Sequence, residues 1–338
     1  MAGSVAILTE QDIAVVRERV SERDKRWRQR KARAAEIPDG VFMERIGVIR
    51  ARIAADLQTP EHQRTSAFRP LAEDELALLE RQTIVRVVNE RLIVLESQSE
   101  RINELLSILR INLAVGRTVV SCEQFRIFGR ACMQHQWMGL ERCFARWNYS
   151  LQLVMSSVLV LPWRAGLLYG EVFHRSECTS LLWHIGARRN ERTLAAEIYH
   201  ESAPPPEFRD RVHLVCDPML ATGGTQATTI ERLIAAGVAP DRIVAVAIVA
   251  APEGVDFLLS RYPHLRIVTC ALDECLDARG YITGPGLGDF GDLAYGDLDE
   301  EYVARHWVAP GLLTHSQAAL ILERMARART NGDARAAT

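Results

Sequence analysis

One stretch constrains this chain more than any other: Val212 to Thr225, reading Val-His-Leu-Val-Cys-Asp-Pro-Met-Leu-Ala-Thr-Gly-Gly-Thr. Its opening run, Val212 to Cys216, has the length and β-branched content of a buried strand. Asp217 stands at the end of that strand. Ala221-Thr222-Gly223-Gly224-Thr225 then make a loop of small residues, and Ile230, Leu233 and Ile234 mark one face of a following helix. The order strand, acid, loop, helix belongs to a parallel α/β sheet, where ligands bind outside the carboxyl ends of the strands. A Gly/Thr loop entering a helix offers several backbone N–H groups to an anion, and the helix dipole adds to the attraction. The glycines admit close approach of a phosphate, and the hydroxyls of Thr222 and Thr225 can donate to the same oxygens. On the Gly-Gly pair alone, an ordinary βα turn is the more common outcome; the longer string is what points to an anion.

The rest of the chain narrows the class. Its 338 residues suffice for one large or two modest domains. A net charge of -2 gives no basic field to draw nucleic acid. The basic residues are nearly all Arg, with Lys25 and Lys31 the only lysines. Seven cysteines form no Cys-x-x-Cys pair, and no secretory signal is visible, so a reducing cytoplasm is expected. The longest apolar run, Leu151 to Trp163, is too short to span a bilayer and reads as a core strand with its approach.

Along the chain, residues 1 to about 40 are polar, and the basic run from Arg23 to Arg33 reads as a solvated arm. From 41 to about 115 the spacing predicts helices: Phe42, Ile46, Ile49 and Ile53; Leu76, Leu79, Ile84 and Val87; then Leu92, Leu95, Ile102, Leu105, Leu106 and Leu109. His135, Trp137 and Trp147 lie in a further helical stretch and read as core packing. Strands are expected at Val158–Leu161, Leu181–Ile185, Ile243–Ala250 and Ile267–Ala271, with a rigid turn at Pro204-Pro205-Pro206. The glycine-rich run Gly280 to Asp292 reads as a loop held by its partners. Helices are expected in the tail from Asp297 to about Arg329.

Asp-Pro-Met-Leu-Ala-Thr-Gly-Gly-Thr closely resembles the phosphoribosyl pyrophosphate (PRPP) loop of uracil phosphoribosyltransferases, whose Asp-Pro replaces the two adjacent acids of most type I phosphoribosyltransferases. Other strings follow in that family's order. Arg164-Ala165-Gly166-Leu167 is similar to its pyrophosphate loop, with Trp163 in place of a smaller aliphatic. Gly186 to Leu194 is similar to the segment carrying its second pyrophosphate arginine, here Arg189, with Arg188 in place of a Tyr. Ala250-Ala251-Pro252-Glu253-Gly254 matches a segment expected to support the site from behind. Leu272-Asp273-Glu274 and Gly280 to Asp292 resemble the approach and the hood over the base. The hood departs from the family by one extra residue between Ile282 and Pro285 and by Leu293 where an Arg is usual.

The resemblance implies an α/β chain with the type I phosphoribosyltransferase fold: a central, mostly parallel sheet flanked by helices, a hood over the base site and an α-helical N-terminal extension. It divides the chain into a helical extension at 1–100, a phosphoribosyltransferase domain at 101–300 and a helical tail at 301–338. By the same resemblance, Arg164, Arg189, Asp217, Met219, Ala221, Thr222, Gly223, Gly224 and Thr225 bind PRPP. Tyr281, Ile282, Gly286, Leu287, Gly288 and Asp289 bind the base, and Asp217, Asp289, Arg164 and Arg189 form the catalytic set. Mg²⁺ is the implied cofactor, bound through PRPP and water with Asp217 as the one candidate protein ligand. The implied partners are PRPP and a nucleobase or base analogue, with neither nucleic acid nor membrane, in a homodimer or higher homo-oligomer. Three functions fit: conversion of uracil to UMP, phosphoribosylation of a modified base such as a deazapurine in nucleoside-antibiotic synthesis, and a non-catalytic PRPP- or nucleotide-sensing regulator.

Overall fold

The computed structural model describes residues 73–99, 102, 106, 122–149, 156–174, 181–189, 196–273, 276, 282, 290–296, 300–323 and 326. Its centre is a nine-stranded sheet. Eight strands run in the order β1 (Thr83–Asn89), β2 (Leu92–Ser97), β9 (Arg266–Leu272), β8 (Ile243–Ala250), β6 (His213–Cys216), β3 (Val158–Trp163), β4 (Leu181–Arg189) and β5 (Ala196–Ser202). The short β7 (Met219–Leu220) pairs with the far end of β8. From β2 to β4 every pairing is parallel, and the two edges, β1 with β2 and β4 with β5, are antiparallel. The central strands are predominantly apolar, as strands covered on both faces tend to be. All eight residues of β8 are buried.

Two layers of helix cover the sheet. One face carries α2 (Cys122–Arg146) and α3 (Leu167–Phe173), packed over Leu159, Leu161, Leu214 and Cys216. The other carries α4 (Gly224–Ala235) and α5 (Pro252–Arg261), packed over Val158, Val160, Val215 and Ala245. Ile230 and Leu233 of α4 face that core as expected, whereas Ile234 is exposed. The strands expected at 158, 181, 243 and 267 are all present, and β4 runs on to Arg189. His135 is fully buried within α2, between the Thr83 hydroxyl at 3.1 Å and the Leu95 carbonyl at 3.2 Å.

The helical expectation is corrected for residues 83–97. The chain is helical over α1 (Glu73–Gln82) and then forms the β1–β2 hairpin, which adds to the sheet through parallel pairing of β2 with β9. Asn89 makes the turn, its Oδ1 accepting from the N–H groups of Arg91 at 2.8 Å and Leu92 at 2.9 Å. The three-residue spacing of Ile84 and Val87 suggested an apolar helix face, but these side chains are 39% and 44% exposed on an edge strand. Residues 1–72, and with them the basic arm, lie outside the described residues.

His213, at the start of β6, gives the fold a pH dependence. Its Nδ1–H donates to the Arg211 carbonyl at 2.9 Å, while Nε2 is buried without a hydrogen-bond partner. Burial lowers its pKa to about 4, against the smaller upward pull of that carbonyl. Charging the ring would bury an unsatisfied N–H⁺. The unfolded chain binds this proton more readily, so its contribution to stability is present above the ordinary value of 6.5 and is lost as pH falls towards 4. Urea midpoints are expected to fall between about pH 7 and about pH 4.5, with a shallower fall in His213→Gln. Parallel wild-type and variant curves would refute the assignment.

Candidate functional site

The site grows out of the ends of two neighbouring strands. β3 and β6 pair in parallel, with Val160 opposite Val215. From the end of β3 the chain turns onto the face carrying α2 and α3; from the end of β6 it turns onto the face carrying α4. The connections lead to opposite sides, β3 to β4 and β6 to β8. A crevice opens where neighbouring connections diverge in this way. Arg164-Ala165-Gly166 leave one strand at this point, and Asp217 leaves the other.

The two loops touch through backbone. A Cβ on Gly166 would lie 2.6 Å from the Cys216 carbonyl oxygen and 2.7 Å from that of Pro162. Only glycine permits that approach, which brings the Arg164 loop against the residue preceding Asp217. The Gly166 N–H donates to Pro162 at 2.9 Å and the Leu167 N–H to Arg164 at 3.0 Å, closing a tight turn into α3. The Trp163–Arg164 peptide is cis. Arg164 is half-buried.

Asp217 is half-buried, and its carboxylate turns back over its own loop. The Met219 N–H donates to Asp217 Oδ1 at a long 3.4 Å, and the Asp217 N–H donates to the Val246 carbonyl at 3.0 Å. The next residues are zipped to β8 and its end. Ile248 N–H donates to Pro218 at 2.8 Å, and Ala251 N–H to Leu220 at 2.8 Å. The chain then bends through Ala221 and Thr222 to Gly223, whose φ of 82° lies in the left-handed region that glycine favours. α4 starts at Gly224. Thr222, Gly224 and Thr225 are exposed, and the Gly224 N–H donates to Thr222 Oγ1 at a long 3.4 Å, so the start of α4 is open to solvent. Gly254 backs this loop: a Cβ there would overlap the Ala221 carbonyl oxygen. The Ala251-Pro252-Glu253-Gly254 string therefore does support the loop from behind.

The remaining predicted residues are only partly described. Arg189 ends β4, three residues beyond Gly186, which pairs with Trp163; its side chain lies outside the described residues. Ile282 is buried and bridges to Leu276, whose N–H donates to Glu253 Oε1 at 3.1 Å. That ties Ile282, in the glycine-rich run, to the segment behind the Thr-Gly-Gly loop. Tyr281, Gly286, Leu287, Gly288 and Asp289 lie outside the described residues.

Three features around the site were not legible. Trp163 stacks on His200, with centroids 4.5 Å apart, and its Nε1–H donates to His184 Nδ1 at 3.1 Å. Burial lowers the His184 pKa to about 4, against a hydrogen bond to the Leu312 backbone that raises it. Gln226 and Thr229, in the first turns of α4, are buried with Gln226 Nε2 and Oε1 and Thr229 Oγ1 lacking hydrogen-bond partners. Tyr169 of α3 is fully buried, donates to Gln136 Oε1 at 2.7 Å, and has its pKa raised by burial and by nearby Cys270, Cys216 and Asp217. Polar residues at inward helix positions were the one available signal for Gln226 and Thr229; the other links join segments distant in sequence. Among the described residues no group of three or more His, Cys, Asp or Glu is placed to enclose a metal. No described helix is long and apolar enough to cross a membrane.

Part of the chain is similar to known proteins. Residues 149–297 match the family model of uracil phosphoribosyltransferase. The chain is 42% identical over 109 residues to uracil phosphoribosyltransferase 1 of Schizosaccharomyces pombe, covering 32% of this chain and 49% of that protein. It thus spans about half the length of this curated relative. Among solved structures, a protein of Aquifex aeolicus is 25% identical with a TM-score of 0.49, covering 60% of this chain and 98% of that one. Adenine phosphoribosyltransferase of Leishmania donovani is 15% identical with a TM-score of 0.39, covering 61% and 96%. The β3 and β6 loops, the Asp217 strand end and the Thr-Gly-Gly turn all fall within the segment that matches the uracil phosphoribosyltransferase model.

Proposed function

We propose that this protein transfers the 5-phosphoribosyl group of PRPP to a ring nitrogen of a heterocyclic base, releasing pyrophosphate. The observation that carries the reading is the juncture at Gly166 and Cys216, which brings an arginine loop and a carboxylate together at the switch point of a parallel sheet. Beside it stands an anion loop at a helix start. PRPP presents matching groups: a 1-pyrophosphate for the arginine loop, ribose hydroxyls for Asp217 and a 5′-phosphate for Ala221 to Thr225.

In the reaction the C1′–O bond to pyrophosphate breaks and a C1′–N bond forms. Positive charge develops on the ribose and negative charge on the leaving group, and the base N–H proton departs. Such a reaction needs positioning and charge stabilisation more than a strong nucleophile. Arg164 and Arg189 suit the departing pyrophosphate, since a guanidinium pairs with phosphate oxygens bidentately. Asp217 accepts from the ribose hydroxyls and lies near the developing positive charge. Asp289 is the proposed acceptor of the base proton. Mg²⁺ bound to the diphosphate would neutralise part of its charge. With Pro218 after Asp217, the residues fit an ion held chiefly by substrate oxygens and water, with Asp217 as the one candidate protein ligand.

Uracil, giving UMP, is the proposed base. The name of the fission-yeast relative and the matching family model support it. A modified base is the second reading, favoured by the extra hood residue between Ile282 and Pro285 and by Leu293. The same family relation supports a homo-oligomer acting in the cytoplasm.

The test is pyrophosphate release from PRPP and Mg²⁺ over uracil, the other natural bases and a set of deazapurines. Release with uracil at a kcat on the order of 1 s⁻¹ or more is expected. Release only with a purine-like base would replace uracil with the second reading. Tight PRPP binding with no release for any base would make the protein a sensor.

A further inference from the structure

We infer that residues 300–323, which lie beyond the family match ending at 297, position the pyrophosphate loop through α3. The inference rests on the reading of Arg164-Ala165-Gly166 as that loop, and adds a role for chain that the reading does not use.

The loop leads directly into α3, so it goes where α3 goes. α3 has seven residues, far too few to be stable alone, and no side chain caps its start. All seven are buried. Its position is therefore set by what packs around it, and one wall of that surround is the tail.

Three contacts make the wall. The first is at Glu171, a buried carboxylate on α3. Trp307 Nε1–H donates to its Oε1 at 2.8 Å, and the Tyr302 hydroxyl donates to the same oxygen at 3.3 Å. Arg130 of α2 holds Oε2 from the other side, through Nη2 at 2.6 Å and Nε at 3.0 Å, and also donates to Tyr302 at 3.0 Å. Burial would lower the Arg130 pKa, but the Glu171 charge, with Tyr302 and Tyr295, leaves it raised overall. The second contact is at Gly170, where a Cβ would lie 3.2 Å from Leu312 Cδ2: the Leu312 side chain rests on the α3 backbone one turn from the loop. The third reaches the loop's other root. The Leu312 backbone accepts from His184, which in turn accepts from Trp163 Nε1, and Trp163 precedes Arg164. A bond from the Leu313 N–H to the Trp307 carbonyl at 2.9 Å links the Trp307 and Leu312 contacts within the tail. The tail thus grips both the strand that enters the loop and the helix that leaves it.

The Trp307 and Leu312 contacts can be weakened without touching the loop. Trp307→Phe keeps an aromatic ring and removes the N–H donor to Glu171; Leu312→Ala removes the side chain over Gly170. Leu259→Ala, at a buried position of α5 on the opposite face of the sheet, serves as a destabilised control. In the full-length protein, hydrogen exchange of the amides at 164–170 is expected to quicken about fivefold or more in Trp307→Phe and Leu312→Ala, and not in Leu259→Ala. Pyrophosphate affinity, measured by calorimetry, should weaken by about the same factor in the two tail variants. Unchanged exchange at 164–170 in a folded tail variant, or equal quickening in the control, would overturn the inference. Should Leu312→Ala fail to fold, Trp307→Phe carries the same test. A wild-type protein that takes up no pyrophosphate would refute the phosphoribosyl reading, while the exchange comparison, which needs no ligand, would still decide whether the tail fixes this loop.

Discussion

Gly254→Ala is expected to weaken phosphate binding about a hundredfold while leaving the sheet folded. Gly254 stands in the first turn of α5, with its Cα against the Ala221–Thr225 loop. An added Cβ would overlap the Ala221 carbonyl oxygen, lie 3.0 Å from the Ala221 carbonyl carbon and 3.1 Å from Leu220 Cδ1. Backbone atoms cannot swing aside as a side-chain tip can. Nor can the two segments simply part, because the Ala251 N–H is bonded to the Leu220 carbonyl at 2.8 Å and β7 is paired with β8. The bend at 221–223 must absorb the displacement, and that bend is the proposed anion site. Overpacking of this kind costs about 1–3 kcal/mol, which a domain of this size survives. A shift of about 1 Å in a positioning loop costs on the order of a hundredfold in function. Calorimetry with ribose 5-phosphate should therefore show affinity lost by about that factor, with a circular dichroism spectrum like that of the wild type. Unchanged affinity would mean that the anion site does not lie on Ala221 to Thr225.

Gly254 also illustrates what the sequence can carry. Its string could be matched, and its place behind the loop foreseen, because neighbouring motifs had already set the frame. The same holds for β3, β6 and β8. A buried parallel strand writes its position locally, in a short apolar run that ends at an acid or a glycine. The hairpin at 83–97 failed for a local reason as well. Ile84, Val87, Leu92 and Leu95 fall at intervals that mimic a helix face, while the β-branched run Thr83-Ile84-Val85 and the turn-forming Asn89 favour the hairpin. Exposed Ile84 and Val87 show how weakly an edge strand obeys alternation.

The contacts around α3 were beyond reach for a different reason. Glu171 meets Trp307 across 136 positions and Arg130 across 41. Read singly, each is an unremarkable residue: a glutamate in a short apolar helix, a tryptophan in a polar tail. Only burial makes the glutamate informative, since a carboxylate removed from water must be hydrogen-bonded or paired. The site's geometry was legible to the same degree. The loops could be named from their residues, but their closeness depends on Gly166 meeting Cys216, a contact that no spacing rule encodes.

The largest effect on chemistry is expected from Asp217→Asn. Asparagine has nearly the shape of aspartate, and its side-chain oxygen can still accept the Met219 N–H now held at 3.4 Å. The turn, the pairing of β7 with β8 and the fold should persist, with a melting temperature within a few degrees of the wild type. What is lost is the negative charge and half of the capacity to accept from ribose hydroxyls. Both matter most when positive charge grows on the anomeric carbon, so the loss should fall on the transition state. kcat/KM for PRPP is expected to drop well over tenfold, about 1.4 kcal/mol or more, with kcat falling more than KM rises. Arg164→Ala should lower kcat/KM by a similar margin but raise the KM for PRPP more, since its guanidinium would already hold pyrophosphate in the ground state. The contrast between the two variants separates their roles: a carboxylate that acts as the bond breaks, and a cation that also binds beforehand. Near wild-type rates in both would remove Asp217 and Arg164 from the site, and with them the chemistry argued for the crevice between β3 and β6.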